Sequence, residues 1–146
     1  MQIIKRIKDW QTERMLDKQP YEWQNEATNI IEELVEAKGY KVVDREKLKK
    51  MVGGMINNLE FSGVIEKRDS FDDVDIADAF CDVIVFAVGA LMKAGFEPTC
   101  ALDETLKEIE SRKGKIKNGK FQKDTSLEAK AKWVKADYEK CRKEII

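Results

Sequence analysis

No histidine occurs in the 146 residues. That excludes Ser-His-Asp and Cys-His catalysis, histidine metal sites and imidazole acid–base chemistry. Any chemistry must run on carboxylates, Lys or Arg, hydroxyls or thiols. Proline and glycine are also scarce, at two and eight, and the abundant Glu, Lys, Ala and Leu favour helices over a sandwich or barrel. The three cysteines, Cys81, Cys100 and Cys141, are odd in number and have no CxxC spacing. Neither a zinc site nor a disulfide framework is expected from them, and a reducing, cytoplasmic setting is. Long apolar runs are missing as well. The longest, Val83 to Met92, is about half a membrane span and reads as a buried helix. With no apolar signal segment at the N-terminus, no membrane partner is expected.

What is present suits one compact domain, 1–146. The net charge of −1 argues against a nucleic-acid partner, as does the lack of aromatics among the basic residues beyond Phe121. The charge is unevenly spread. Eight acids face only Lys67 and Arg68 between Glu60 and Asp82, and six bases with no acid lie between Arg112 and Lys123.

The spacing predicts an all-α helical bundle. A first helix covers Ile3 to Leu16, with Ile3, Ile7, Trp10 and Arg14 on one face. A second runs from Tyr21 to Lys38 and ends at Gly39, with Ala27, Ile30, Ile31, Leu34 and Val35 as its apolar stripe. Asp44 to Leu59 is a weaker helix broken at Gly53-Gly54, with Met51 and Met55 as core filler. A strong helix starts near Ser70 or Asp72 and stops at Gly95. A short one follows from Leu102 to Arg112, then a basic loop. From Ser126 onward, Leu127, Ala131, Val134, Tyr138, Cys141 and Ile145 mark the seam of an additional C-terminal amphipathic helix.

Two acidic ridges stand out. Glu26, Asn29, Glu33 and Glu36 border the apolar stripe of the second helix. Asp75, Asp78 and Asp82 share a face of the fourth. Asp82 sits among apolar residues, where an ionised carboxylate is costly unless paired or metal-bound. All-oxygen ligands without histidine select Mg²⁺, or Mn²⁺ in its place, over zinc. Cys81, in the same helix, reads as a packing residue.

Glu32-Glu-Leu-Val-Glu36 followed by Asp78-Ala-Phe-Cys-Asp82 resembles the metal-binding pattern of the all-α NTP pyrophosphohydrolases, a superfamily that includes MazG, the dimeric dUTPases and phosphoribosyl-ATP pyrophosphohydrolase. The similarity continues through Leu102-Asp-Glu-Thr-Leu and Ser111-Arg-Lys-Gly-Lys to Gly119-Lys120 and Lys123-Asp124. It implies a MazG-like bundle and metal ligation by Glu33, Glu36 and Asp82, with Asp78 as the fourth acid. It also implies phosphate contacts from Lys113, Lys120 and Lys123. This chain departs from the pattern in having Ala79, in having Glu110 where relatives often place Asn, and in a longer segment near Tyr40 to Ser70.

The expected activity is Mg²⁺-dependent cleavage of a (d)NTP to (d)NMP and pyrophosphate, with Glu32 and Glu33 as candidates for the catalytic step and Glu32 orienting water. Arg112 joins the phosphate contacts, Gly114 and Gly119 let backbone N–H groups approach, and Asn29 meets the base; Trp10 and Trp23 either stack on it or, as aromatics at helical spacing more often do, pack in the core. A dUTP-specific or phosphoribosyl-ATP-type enzyme is an alternative, and a non-enzymatic helical adaptor that dimerises is another. In each case a homodimer or tetramer is expected.

Overall fold

A computed structural model of the chain describes residues 2–118 and 120–143. It is mostly helical, with a small two-stranded sheet. The chain divides into two compact units, Gln19–Phe71 in one, Met1–Lys18 with Asp72–Ile146 in the other.

The first of these is a pair of helices, α2 (Trp23–Ala37) and α3 (Arg45–Phe61). Helix α2 ends where expected, because Gly39 takes the left-handed conformation (φ 93°) that closes a helix. Asp44 caps α3 by accepting from the Lys47 N–H at 3.0 Å. The two glycines do not break α3. At Gly53 a Cβ would meet Gln24 Nε2 at 2.4 Å, and that nitrogen donates to the Lys49 carbonyl at 2.7 Å. Gly53 therefore lets α2 and α3 approach closely. Met51 is exposed rather than core filler, as is Leu34 of the apolar stripe, and the buried residues of this unit are Asn25, Thr28 and Val52.

In the other unit, α1 (Gln2–Glu13) packs on α5 (Pro98–Ser111). The face carrying Ile3, Ile7, Trp10 and Arg14 is half-buried, as its spacing predicts. Trp10 Nε1 donates to the Ile109 carbonyl at 3.3 Å. Arg6 bridges Asp103 at 2.5 Å and Glu110 at 3.1 Å, so Glu110 has a structural partner. Helix α5 starts four residues before the expected Leu102. Pro98 fits the first turn, and the Glu97 carboxylate accepts from the Cys100 and Thr99 N–H groups at 2.7 and 3.1 Å. Those bonds hold its pKa below the usual carboxylate range.

Helix α4 (Asp73–Lys93) begins with a capping box. Asp72 accepts from the Val74 N–H at 2.9 Å, and Asp75 accepts from the Asp72 N–H at 2.9 Å. It ends ahead of Gly95, another left-handed glycine (φ 93°). The expected burial is corrected, however. Ile84, Val85 and Phe86 are 56%, 66% and 74% exposed, and Asp82 and Cys81 are exposed too. Within its unit α4 packs on α5, which covers only part of a helix that is apolar nearly all round.

The basic stretch expected as a loop is an antiparallel hairpin, β1 (Gly114–Lys117) and β2 (Lys120–Lys123), pairing Ile116 with Phe121 and Lys117 with Lys120. All-α is thus corrected to helical with one hairpin. Asn118 adopts φ 53°, the left-handed geometry that tight hairpin turns need. Gly119 lies outside the described residues.

The tail does not form the long seam helix. One turn, α6 (Leu127–Lys130), is capped by Ser126, and a 3-10 turn covers Glu139–Cys141; Ile145 lies outside the described residues. Between them the chain runs antiparallel along α5. The Val134 N–H donates to Ser111 Oγ at 2.8 Å and the Asp137 N–H to Glu104 Oε1 at 3.0 Å. Tyr138 and Thr105 hydroxyls meet at 2.9 Å, and the Lys143 N–H reaches the Gly95 carbonyl at 2.8 Å. Cys141 is disulfide-bonded to Cys100, which corrects the expectation that no disulfide forms. Contacts with α5 thus override the heptad pattern.

Glu104, only 4% exposed, binds this strap through Lys140 at 2.8 Å, with Lys107 at 2.9 Å. The two ammonium groups and the Asp137 N–H push its pKa down to about 2. A lowered folded-state pKa stabilises above the unfolded value, and that contribution fades as pH falls from 4.5 to about 2. The thermal midpoint of the native chain should therefore fall more steeply over this window than that of Glu104→Gln; equal slopes would contradict it. Cys141→Ser should cost about 2–4 kcal/mol in urea unfolding under oxidising conditions, and no loss would mean the strap is not covalently held.

Candidate metal and phosphate site

The acids of α2 are single-helix neighbours. Glu33 and Glu36, one turn apart, are both exposed. Asn29 and Glu32 are brought together by a residue the sequence reading missed. Arg45, in the first turn of α3, hydrogen-bonds Asn29 Oδ1 and lies 3.6 Å from the Glu32 carboxylate, both side chains being mostly covered. The positive partner missing from the α2 ridge thus comes from the next helix. Its only sequence signal was position, just after the Asp44 cap.

Helix α4 uses its three aspartates differently. Asp75 is spent on the capping box. Asp78 and Asp82, at i and i+4 on one face, are exposed and make no ion pair or side-chain hydrogen bond among the described residues. The helix-capping and salt-bridge explanations therefore do not apply to them. The case from buried charge does not apply either, since Asp82 is exposed in the single chain. Among the described residues, no group of three or more acids or thiols is placed to hold a metal.

The basic residues separate into two sets. Arg112 and Lys123 gather at Trp133, with the guanidinium carbon 5.1 Å and the ammonium nitrogen 5.7 Å from the ring centroid, and Lys130 at 5.9 Å. Arg112 is also ion-paired to Glu108. Lys120 instead stands opposite Lys117 on the hairpin. Lys113 is exposed, and its carbonyl accepts from the Asp124 N–H at 2.5 Å. Gly114 serves the hairpin, because a Cβ there would meet the Gln122 carbonyl oxygen at 1.9 Å. Trp10 packs edge-on against Phe121 with centroids 5.5 Å apart, the packing role its spacing favoured, while Trp23 is exposed. Trp133 was missed because nine residues separate it from the hairpin in the chain.

No protein-family model matches the sequence, and no characterised protein or solved structure matches it.

Arg45 and Glu32 should behave as a coupled pair. A cycle of Arg45→Ala and Glu32→Gln, read by chemical unfolding, should give a coupling of about 0.5–3 kcal/mol; simple additivity would show the contact carries no energy.

Proposed function

We propose that the chain is a Mg²⁺-dependent nucleotide pyrophosphohydrolase that cleaves a (d)NTP to (d)NMP and pyrophosphate. The observation that carries this reading is the Asp78/Asp82 pair. Two carboxylates one turn apart, without a partner among the described residues, lie in the mostly apolar stretch of α4 that follows its acidic first turn. Mg²⁺ suits such a pair, since it keeps several waters and is commonly held by one or two carboxylates plus substrate phosphates. A carboxylate pair therefore fits the ion without a preformed three-acid cage.

The proposed metal ligands are Asp78 and Asp82 on α4; Glu33 and Glu36 on α2 are the further ligands that the resemblance implies. Bound Mg²⁺ would supply charge neutralisation at the phosphates and a more acidic water. Glu32, with its carboxylate beside Arg45, would accept a hydrogen bond from the attacking water, and Arg45 would act as its positioning residue. Glu33 is the second candidate for that step. Lys113, Lys120, Lys123 and Arg112 would balance phosphate charge, and Asn29 would contact the nucleotide. Preference for dUTP or phosphoribosyl-ATP is a narrower form of the same proposal; the cytoplasmic setting expected from unpaired cysteines loses that ground with the Cys100–Cys141 bond.

The uncovered apolar face of α4 supports a homodimer or tetramer. No helix among the described residues is long and apolar enough to cross a membrane. The same face would also serve a dimerising adaptor without activity, and the two readings separate in one assay. Across a full (d)NTP panel with Mg²⁺, the enzyme should release pyrophosphate from at least one substrate. Asp82→Asn and Glu36→Gln should reduce release to background while keeping the helical circular-dichroism spectrum. Mg²⁺ with a non-hydrolysable dNTP should together raise the thermal midpoint. No turnover and no shift would favour the adaptor.

A further inference from the structure

The hairpin has two unlike faces. Directly opposed residues of an antiparallel pair share a side, and residues alternate sides along each strand. Ile116 and Phe121 form one opposed pair. Phe121 meets Trp10 of α1 edge-on, and the Arg14 guanidinium carbon lies 5.3 Å from the Phe121 centroid. That face is anchored on the helices. The pleat puts Lys115, Lys117 and Lys120 on the other side, with Lys117 directly across from Lys120.

Like charges placed opposite each other weaken a sheet pair, and the segment from Arg112 to Lys123 contains no acid. Lys115 and Lys117 are exposed, and neither makes a side-chain bond among the described residues. The net charge of −1 conceals this concentration. From Arg112 to Lys135 the chain carries nine bases against two acids, and three of those bases surround Trp133. The net-charge reason for expecting no nucleic-acid partner weakens here, because the charge is segregated.

Spacing selects the kind of anion. Same-side residues of a strand repeat at roughly 6.6 Å, close to the separation of successive phosphates along an extended nucleic-acid strand. The phosphorus atoms of a triphosphate share bridging oxygens and lie less than half as far apart. We infer that the outward face of the β1–β2 hairpin binds the phosphate backbone of single-stranded nucleic acid through Lys115 and Lys117. This binding is separate from nucleotide hydrolysis and needs no metal.

The test is fluorescence anisotropy of the full chain with a labelled oligothymidylate of about 15 nucleotides, in chelator-containing buffer without Mg²⁺, so that hydrolysis plays no part. Binding should weaken as salt rises from about 50 to 200 mM, and the double variant Lys115→Glu/Lys117→Glu should lose at least about tenfold in affinity. Its log–log salt slope should be shallower by about 1.4, corresponding to two lost phosphate contacts. Lys50→Glu, on α3 of the other unit, should change neither. Absence of binding at about 50 mM salt would overturn the inference. So would an equal loss from Lys50→Glu, or inorganic tripolyphosphate displacing the labelled strand as well as unlabelled oligothymidylate does at equal phosphate concentration.

Discussion

A helix that is apolar nearly all round is stable in water only when its surroundings cover it, and α4 is such a helix. Its ends are fixed locally, by the Asp72/Asp75 capping box and by Gly95. Its middle is not matched by the rest of the chain, which leaves Ile84, Val85 and Phe86 mostly in solvent. Covering a side chain such as Phe86 is worth roughly 2 kcal/mol, a substantial part of the stability of a small domain. The proposed second copy answers that deficit. It also changes the meaning of Asp78 and Asp82, whose lack of internal partners would become costly once neighbouring apolar surface is sealed. A divalent cation would meet that cost, so the assembly and the chemistry proposed here rest on the same helix.

Elsewhere the unit containing α4 is held by polar ties rather than by a large core. Glu104 accepts from two lysines and one backbone amide, and Arg6 and Trp10 fasten α1 to α5. With the Cys100–Cys141 bond, these fix the strap and α1 against α5, and Trp10 in turn meets Phe121 of the hairpin. The basic residues sit on that frame, some turned inward onto Trp133 and others outward on the hairpin, which gives one charge block two chemical environments.

Features decided by neighbours in the chain were the legible ones. Asp44, Gly39, Asp72 and Gly95 carry their own capping chemistry, and the helices begin or end beside them. The half-buried face of α1 followed its period. Features decided at a distance were not legible. Four-residue strands are too short for a period-2 pattern to stand out, and the tail's heptad spacing lost to bonds with α5. The break expected at Gly53-Gly54 was a close approach to Gln24. For the candidate site, both acidic ridges could be read as helical faces, whereas the Arg45 contact to Asn29 and Glu32 depends on how α3 returns along α2. Burial of Asp82 was misjudged because hydrophobic surroundings in sequence do not by themselves provide a covering neighbour.

Sedimentation equilibrium of the full chain in the micromolar range, with Phe86→Asp alongside it, tests most directly whether a second copy covers α4. The native chain should sediment at the mass of a dimer or tetramer, and the variant should shift toward the monomer while remaining helical by circular dichroism. A native chain that is monomeric throughout, or a variant whose association is unchanged, would contradict this role for α4.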